Sequence, residues 1–270
     1  MATQDPEADR GLFARASHLA SRARDAARAG TSAWQRGGVV EVGCVALDAA
    51  YWRFHPSVRR WAAELPRQRT LDEAFDRRFG VDTAGEIPLS DVGIADADIE
   101  RGHGQYRPVW SDAFHEALRT VHADFRRFTF IDYGSGKGKA LFLAAAYPFE
   151  EIVGIEFARP LHEIAARNIA TYDDPDRRCR RIRSECVDAL AFKPPPVPLV
   201  CFFFNPFDDA TMTAVLDRLR ASVRDVPRDV FIVYSNMRNV SEHAAMFRRR
   251  PYLRPVSSRL RHCVFQVEGD

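Results

Sequence analysis

Lysine is scarce in this 270-residue chain: of its 39 basic residues, only Lys137, Lys139 and Lys193 are lysines. The arginine bias indicates a GC-rich coding sequence rather than a binding function. The 37 acidic residues leave a net charge of +2, so no global field favours nucleic acid or an anionic membrane as a partner. Local arginine clusters leave nucleic acid open as a partner, but it is not the favoured one.

The chain also lacks a long apolar run. A membrane-spanning helix needs about 20 apolar residues, and the best candidate, 39–52, is interrupted by Glu41 and Asp48. The five cysteines are odd in number and contain no Cys-x-x-Cys pair, so we expect reduced thiols and no zinc or other metal site. The first residues show no signal-peptide pattern. Together these features predict a cytoplasmic protein with no membrane partner.

The most informative segment is an apolar strand that reaches an acid and then three glycines. It reads Phe-Ile-Asp-Tyr-Gly-Ser-Gly-Lys-Gly-Lys over 130–139, with Asp132 as the acid. Glycines at such a junction let the backbone turn tightly and let a ligand approach the main chain closely. The segment therefore indicates a nucleotide-like cofactor, although a glycine turn of this kind can also be purely structural.

The glycine spacing disfavours two phosphate-binding sites. A dinucleotide fingerprint needs its third glycine three residues after the second, whereas Gly138 follows Gly136 by two. A P-loop needs a glycine where Tyr133 stands and a hydroxyl where Ala140 stands. The remaining pattern, acid-x-Gly-x-Gly, resembles motif I of the class I S-adenosylmethionine-dependent methyltransferases.

The segments around this motif follow the order of a doubly wound α/β sheet. We predict a mostly parallel seven-stranded sheet with a closing antiparallel strand, preceded by a mainly helical N-terminal extension. The predicted domains are a cap over 1–105 and a class I methyltransferase domain over 106–270. Strands are predicted at 128–133, 151–156, 180–187, 199–204, 229–234, 251–256 and 261–267, and helices at 10–29, 71–79, 111–121, 139–147, 160–171, 210–222 and 242–249.

Acids stand at the ends of the second and third predicted strands. Glu156 lies where the hydroxyls of a bound ribose need an acceptor, or it caps the helix that follows. Phe157 beside it could stack on an adenine or pack in the core. The resemblance implies that Asp188, followed by Ala189, bonds the adenine amino group. As a turn acid, Asp188 would need no function.

A second motif follows the apolar strand 199–204. Asn205-Pro206-Phe207 resembles motif IV of the amino-methylating members of the family, in which the Asn side chain and a neighbouring carbonyl accept hydrogen bonds from the target amine. The family pattern usually has two prolines, and this chain has one. The next two residues, Asp208 and Asp209, could cap a helix or supply the carboxylates of an O-methyltransferase.

The resemblance implies methyl transfer from S-adenosylmethionine to an amine nitrogen of a protein, nucleobase or small molecule. It implies that Asp132 organises the donor's amino group and that the following loop shapes the cofactor pocket through Tyr133, Gly134, Ser135, Gly136 and Gly138. Tyr106 and His103 are candidate lid residues, or parts of an ordinary loop. The alternatives are an O-methyltransferase, a non-catalytic S-adenosylmethionine-binding protein and an NAD-dependent enzyme. The sequence identifies neither the methyl acceptor nor the oligomeric state.

Overall fold

A computed structural model describes residues 56–95, 104–236 and 246–269 of the chain. The chain divides into two compact units, Met1–Ala62 and Ala63–Asp270. The second unit contains the sheet and also takes in part of the predicted N-terminal extension. The predicted helix at 10–29, the first half of the one at 242–249, and His103 lie outside the described residues.

Two short strands of the described residues, β1 (Ile87–Pro88) and β2 (Gln105–Tyr106), form a separate antiparallel pair. Seven further strands form one sheet: β3 (Thr129–Tyr133), β4 (Glu151–Glu156), β5 (Ile182–Cys186), β6 (Leu199–Phe204), β7 (Val230–Ser235), β8 (Leu253–Ser258) and β9 (His262–Val267). Their order in the sheet is β5-β4-β3-β6-β7-β9-β8. Strands β3 to β7 run parallel, and β9 inserts antiparallel between β7 and β8. The predicted seven-stranded sheet with a closing antiparallel strand is confirmed.

The helices are α1 (Pro56–Phe79), α2 (Ser111–Arg119), α3 (Lys139–Ala144), α4 (Arg159–Thr171) and α5 (Asp209–Asp225). Helix α3 is shorter than predicted. After Ala144 the chain tightens, and the Tyr147 N–H donates to the Ala144 carbonyl at 2.9 Å, because Pro148 disfavours the helical conformation at the residue before it. None of the described helices is both long and apolar enough to cross a membrane.

Apolar side chains alternate between the two faces of the sheet and form a core on each side. One cluster contains Ile131 and Cys201, and the other contains Phe130 and Phe202. Because helices cover both faces, β3 and β6 are buried along almost their whole length. Polar side chains therefore gather where the parallel strands end, and this carboxyl edge is where ligands bind in open α/β sheets.

Candidate functional site

The loop after β3 turns by placing three glycines in the left-handed region, with φ of 78° at Gly134, 53° at Gly136 and 91° at Gly138. The N–H groups of Gly134 and Ser135 both donate to the carbonyl of Ile155, at 2.9 and 3.0 Å. These bonds fix the loop against β4. A side chain at any of the three glycines would strain the backbone, which explains why glycine alternates here.

Glu156 ties this glycine loop to the start of α4. One carboxylate oxygen accepts the Gly136 N–H at 2.8 Å, and the other accepts the Ala158 N–H at 2.8 Å. Burial raises the pKa of Glu156, while the backbone bonds lower it. Ala158, and not Glu156, is the N-cap residue of α4, so the simple capping alternative is wrong. The carboxylate instead holds two loops at the carboxyl edge of the sheet.

Asp132 is a buried carboxyl group beside that loop. It is 3% exposed, and no described residue forms a hydrogen bond with its side chain. Burial, followed by the charge of Glu156, raises the pKa of Asp132 to about 8. A buried carboxylate without a partner is costly, so a cation bound next to Asp132 would be strongly favoured. Such groups often mark functional sites.

Two segments from elsewhere in the chain lie directly on the glycine loop. A Cβ atom added at Gly134 would lie 2.7 Å from Cβ of Pro206. One added at Gly136 would lie 2.3 and 2.5 Å from two ring carbons of Tyr106. The structure thus brings together the glycine loop, the Asn-Pro motif and the candidate lid residue Tyr106. It also explains why these two glycines are needed for space as well as for backbone conformation.

Tyr106 contacts the loop through its ring and not through its hydroxyl. The hydroxyl donates to the carbonyl of Thr83 at 2.6 Å. Burial, together with nearby carboxylates, raises the pKa of Tyr106 well above its ordinary value. Its proton is therefore held at neutral pH. A covering role fits the position of the ring.

Asn205 begins the Asn-Pro motif in an unusual backbone conformation. Its φ of 47° makes it the one described residue other than glycine with a positive φ. Its side-chain oxygen accepts a hydrogen bond from the hydroxyl of Tyr234, on the neighbouring strand β7. Phe207 packs against Phe203 with ring centroids 6.4 Å apart. The motif is thus held in a fixed geometry from both sides.

The two acids after this motif belong to a helix start. Asp208 is the N-cap residue of α5, and its carboxylate accepts the Thr211 N–H at 2.7 Å. The capping interpretation of Asp208 is confirmed, and Asp209 is the first residue of the helix. Among the described residues, no group of three His, Cys, Asp or Glu side chains is arranged to hold a metal ion.

The other predicted site residues differ in how they face this edge. Asp188 closes a turn, since its carboxylate accepts the Leu190 N–H at 2.7 Å. Ala189 and the ring of Tyr133 belong to the core, where the Tyr133 ring stacks on Phe203 with centroids 4.7 Å apart, so a ligand could reach Tyr133 only through its backbone.

Ser135 and Phe157 remain available to a ligand. The buried hydroxyl of Ser135 has no hydrogen-bond partner among the described residues, and the Phe157 side chain is 40% exposed beside Glu156.

The sequence did not predict the partners of Lys137, in the glycine loop, and of Lys139, the first residue of α3. The Lys137 ammonium donates to the Asp82 carboxylate at 2.7 Å and to the Ala84 carbonyl at 2.6 Å. Lys139 forms an ion pair with Asp72 of α1. The scarcity of lysine was the available signal, because two of the chain's three lysines stand two positions apart here, one in the glycine loop and one at the first residue of α3.

No family model and no curated protein sequence matches the chain. Similar solved structures include the 23S rRNA methyltransferase ErmE, which is 11% identical over 58% of this chain and 67% of its own, with a TM-score of 0.41. An RNA methyltransferase from Salinibacter ruber in complex with S-adenosyl-L-homocysteine is 16% identical over 60% and 95%, with a TM-score of 0.41. The pyocyanin biosynthetic protein PhzM is 18% identical over 57% and 54%, with a TM-score of 0.42.

The strand order of the chain gives its fold directly. Five parallel strands are ordered outward from β3, the strand that leads into the glycine loop, and the last strand of the chain inserts antiparallel before the edge. The chain therefore has the class I methyltransferase fold.

Proposed function

We propose that this chain binds S-adenosylmethionine at the carboxyl edge of its sheet and transfers the methyl group to an amine nitrogen. The observation that carries the proposal is the packing of Pro206 directly on Gly134. This contact supports the proposal because it brings the glycine loop, which would bind the nucleoside, next to the Asn-Pro motif, which would bind the amine. Asp132 lies in the same place, as a buried carboxyl group without a described partner.

The residues at this edge fit the cofactor. Asp132 would pair with its ammonium group, and the hydroxyl of Ser135 would find a partner there. Glu156 uses one bond on each oxygen, and a carboxylate has about four acceptor sites, so it could also accept ribose hydroxyls. Phe157 offers an exposed ring for the adenine, beside the turn formed by Asp188 and Ala189. When bound, S-adenosylmethionine supplies a methyl group that its sulfonium charge already activates.

The chain's own contribution to the reaction would be orientation. The Asn205 side-chain oxygen accepts from Tyr234 and has a second lone pair, with which it would accept an N–H of the target amine. Phe207 would pack on a planar target. Holding the amine in line with the methyl group converts a bimolecular encounter into an oriented one, which is the main requirement for an activated donor.

Replacing Glu156 by alanine should weaken the binding of S-adenosylhomocysteine. The change removes the ribose acceptor and leaves the N–H groups of Gly136 and Ala158 without partners, so we expect a loss of about 1–3 kcal/mol. Isothermal titration calorimetry measures it. The control is Glu150→Ala, which removes an exposed carboxylate that pairs with Arg181 at 2.8 Å. Equal affinities for the wild type and Glu156→Ala would refute this role of Glu156.

Replacing Asn205 by glycine should depress turnover by about 10- to 100-fold while leaving S-adenosylhomocysteine affinity within about twofold. Glycine is preferred over alanine because it tolerates the φ of 47° at this position, so the carboxamide is removed without added strain. The assay follows labelled methyl groups from S-adenosylmethionine into a panel of protein, nucleobase and small-molecule amines.

The same assay separates the alternatives. Product methylated at oxygen, or turnover that requires a divalent metal, would support an O-methyltransferase instead. Cofactor binding without transfer to any acceptor on the panel would support a non-catalytic binding protein. Normal turnover by Asn205→Gly would contradict the proposed role of the Asn-Pro motif.

We also infer that the protein works in a reducing compartment such as the cytoplasm. The four cysteines in the described part of the chain, Cys179, Cys186, Cys201 and Cys263, are free. Burial raises the pKa of Cys201 and Cys263, so these thiols stay protonated in the core. Free, buried thiols of this kind are typical of proteins that do not depend on disulfides.

A further inference from the structure

The residues between α1 and the sheet form a strap, defined as 80–95, that lies over the glycine loop. The Asp82 N–H donates to the side-chain oxygen of Asn168 on α4 at 2.8 Å. The Asn168 amide in turn donates to the carbonyls of Asp82 and Lys137, at 2.8 and 2.9 Å. Leu89 of the strap packs with Leu161 in a small cluster separate from the two main cores. The strap is therefore attached mainly by polar contacts and a small apolar patch.

Tyr106 is attached to this strap. Its hydroxyl donates to the Thr83 carbonyl at 2.6 Å, and in the β1–β2 pair it lies opposite Ile87. Its ring covers Gly136. If the strap lifts, Tyr106 moves with it and the glycine loop is uncovered. Asp132 and Glu156, the carboxylates proposed to hold the cofactor, are only 3% and 4% exposed, and lifting the strap would open the loop beside them.

Two lysine ion pairs hold this region, and they differ in burial. In the Lys139–Asp72 pair the side chains are 2% and 7% exposed, and Lys139 also lies 5.2 Å from the ring centre of Phe75. In the Lys137–Asp82 pair the lysine is 3% exposed but the aspartate is 69% exposed. Opening the Lys139–Asp72 pair would leave two buried charges without partners, which is costly. Opening the second leaves Asp82 in water and, as the strap departs, lets water reach Lys137.

We propose that the Lys137–Asp82 pair is a latch, which opens so that the strap can lift and admit the cofactor, whereas the Lys139–Asp72 pair is an anchor that stays closed. This inference rests on the proposed binding of S-adenosylmethionine at the same edge. The latch closes over the loop whether or not cofactor is bound, so it controls the rates of exchange more than the affinity. Lys137 and Asp82 are positioning residues and do not contact the reacting atoms.

The test is the kinetics of S-adenosylhomocysteine exchange, measured by stopped flow on the full chain. In Asp82→Asn both the association and the dissociation rate should rise about 10-fold, because a charge-assisted bond to a largely solvated partner is lost. The dissociation constant should stay within about twofold, because the latch must open both in the free protein before association and in the complex before dissociation. Lys137→Met should raise both rates at least as much, because it also removes the bond to the Ala84 carbonyl.

A double-mutant cycle makes the test specific to the pair. Asp82→Asn combined with Lys137→Met should exchange cofactor no faster than Lys137→Met alone, because Asp82 acts through its bond to Lys137. Glu150→Gln is the matched control, since it breaks an exposed pair with Arg181 away from the strap and should leave both rates unchanged. Asp72→Asn should instead lower the melting temperature, because it leaves Lys139 buried without its partner.

Hydrogen exchange provides a readout that needs no cofactor. The backbone N–H groups of Asp82, Thr83 and Ala84 are all bonded to side chains, and in Asp82→Asn they should exchange about 10-fold faster while those of β3 and β6 do not change. Unchanged exchange rates at 82–84 would overturn the latch. So would a rise in dissociation alone, with weaker affinity. Failure of the wild type to bind S-adenosylhomocysteine would refute the proposed function instead, and hydrogen exchange would still decide the latch.

Discussion

Asp132→Asn is expected to stabilise the chain at pH 8 and at the same time to weaken its affinity for S-adenosylmethionine. The carboxyl group is buried without a described partner, and its pKa of about 8 lies far above the ordinary 3.8. Ionising it in the folded chain therefore costs free energy. Asparagine has nearly the same shape and no charge to bury, so it removes this cost. It also removes the carboxylate that we propose as the partner of the cofactor's ammonium group.

The direction in which stability changes with pH follows from the linkage between the protonation of Asp132 and folding. Because the folded-state pKa is raised, the group's contribution to stability is complete below the unfolded-state pKa of about 4 and is lost as the pH rises toward 8. The slope is at most about 1.4 kcal/mol per pH unit. The melting temperature of Asp132→Asn should therefore exceed that of the wild type by a margin that grows between pH 5 and pH 8 and then levels off, as thermal unfolding over this pH range would show.

The affinity for the cofactor should depend on pH in the opposite direction to the stability. The wild type must ionise Asp132 to pair with an ammonium group, so its affinity for S-adenosylhomocysteine should rise as the pH approaches 8. In Asp132→Asn that rise should vanish, with affinity at pH 8 about 10- to 100-fold lower than that of the wild type. Asp173→Asn, at an exposed position, is the control for both measurements. A variant that is less stable than the wild type at pH 8, or that binds equally well, would contradict the assignment.

Gly136→Ala is expected to lower stability by about 2–4 kcal/mol and to displace Tyr106. Alanine is strained at a φ of 53°, and its Cβ would lie 2.3 Å from the Tyr106 ring. The ring can move only with the strap, to which its hydroxyl and backbone are bonded. Chemical denaturation measures the stability, and the intrinsic fluorescence and hydrogen exchange of the strap report its displacement.

The chain supplies a control that separates strain from crowding. Gly80 has a similar φ of 66°, but a Cβ there would meet no atom within 4 Å. Gly80→Ala should therefore show the conformational penalty alone, about 1–2 kcal/mol. Adding Tyr106→Ala to Gly136→Ala should recover the crowding part of the loss. Equal losses for Gly136→Ala and Gly80→Ala would mean that Tyr106 does not lie on the loop.

Local patterns were sufficient to predict the sheet. Strand β6 was predicted with its observed bounds because an unbroken apolar run that is followed by Asn205-Pro206 is typical of a buried strand that ends at a turn. The structure brings Gly134 and Pro206 together, as expected of loops that follow neighbouring parallel strands. The cap role of Asp208 was predicted from its place before a helix. In each case the deciding information lay within a few residues.

The contacts that the sequence did not predict join distant positions. Lys139 pairs with Asp72 across 67 positions, and Lys137 with Asp82 across 55, and no periodicity relates such residues. The hydrogen bond from Tyr234 to Asn205 depends on the register of β6 and β7, which an apolar pattern does not specify for buried strands. The position of Tyr106 on Gly136 depends on these same long-range contacts. The lid was therefore a hypothesis from family resemblance, whereas its attachment is a property of the folded chain.

Calorimetric titration of the full chain at pH 8 with S-adenosylmethionine, S-adenosylhomocysteine and NAD tests the central claim most directly. We predict that both sulfur nucleosides bind, that Asp132→Asn and Glu156→Ala weaken that binding, and that NAD gives no binding heat. Binding of NAD alone, or equal binding of the sulfur nucleosides by the wild type and both variants, would contradict a methyl-donor site at the carboxyl edge of this sheet.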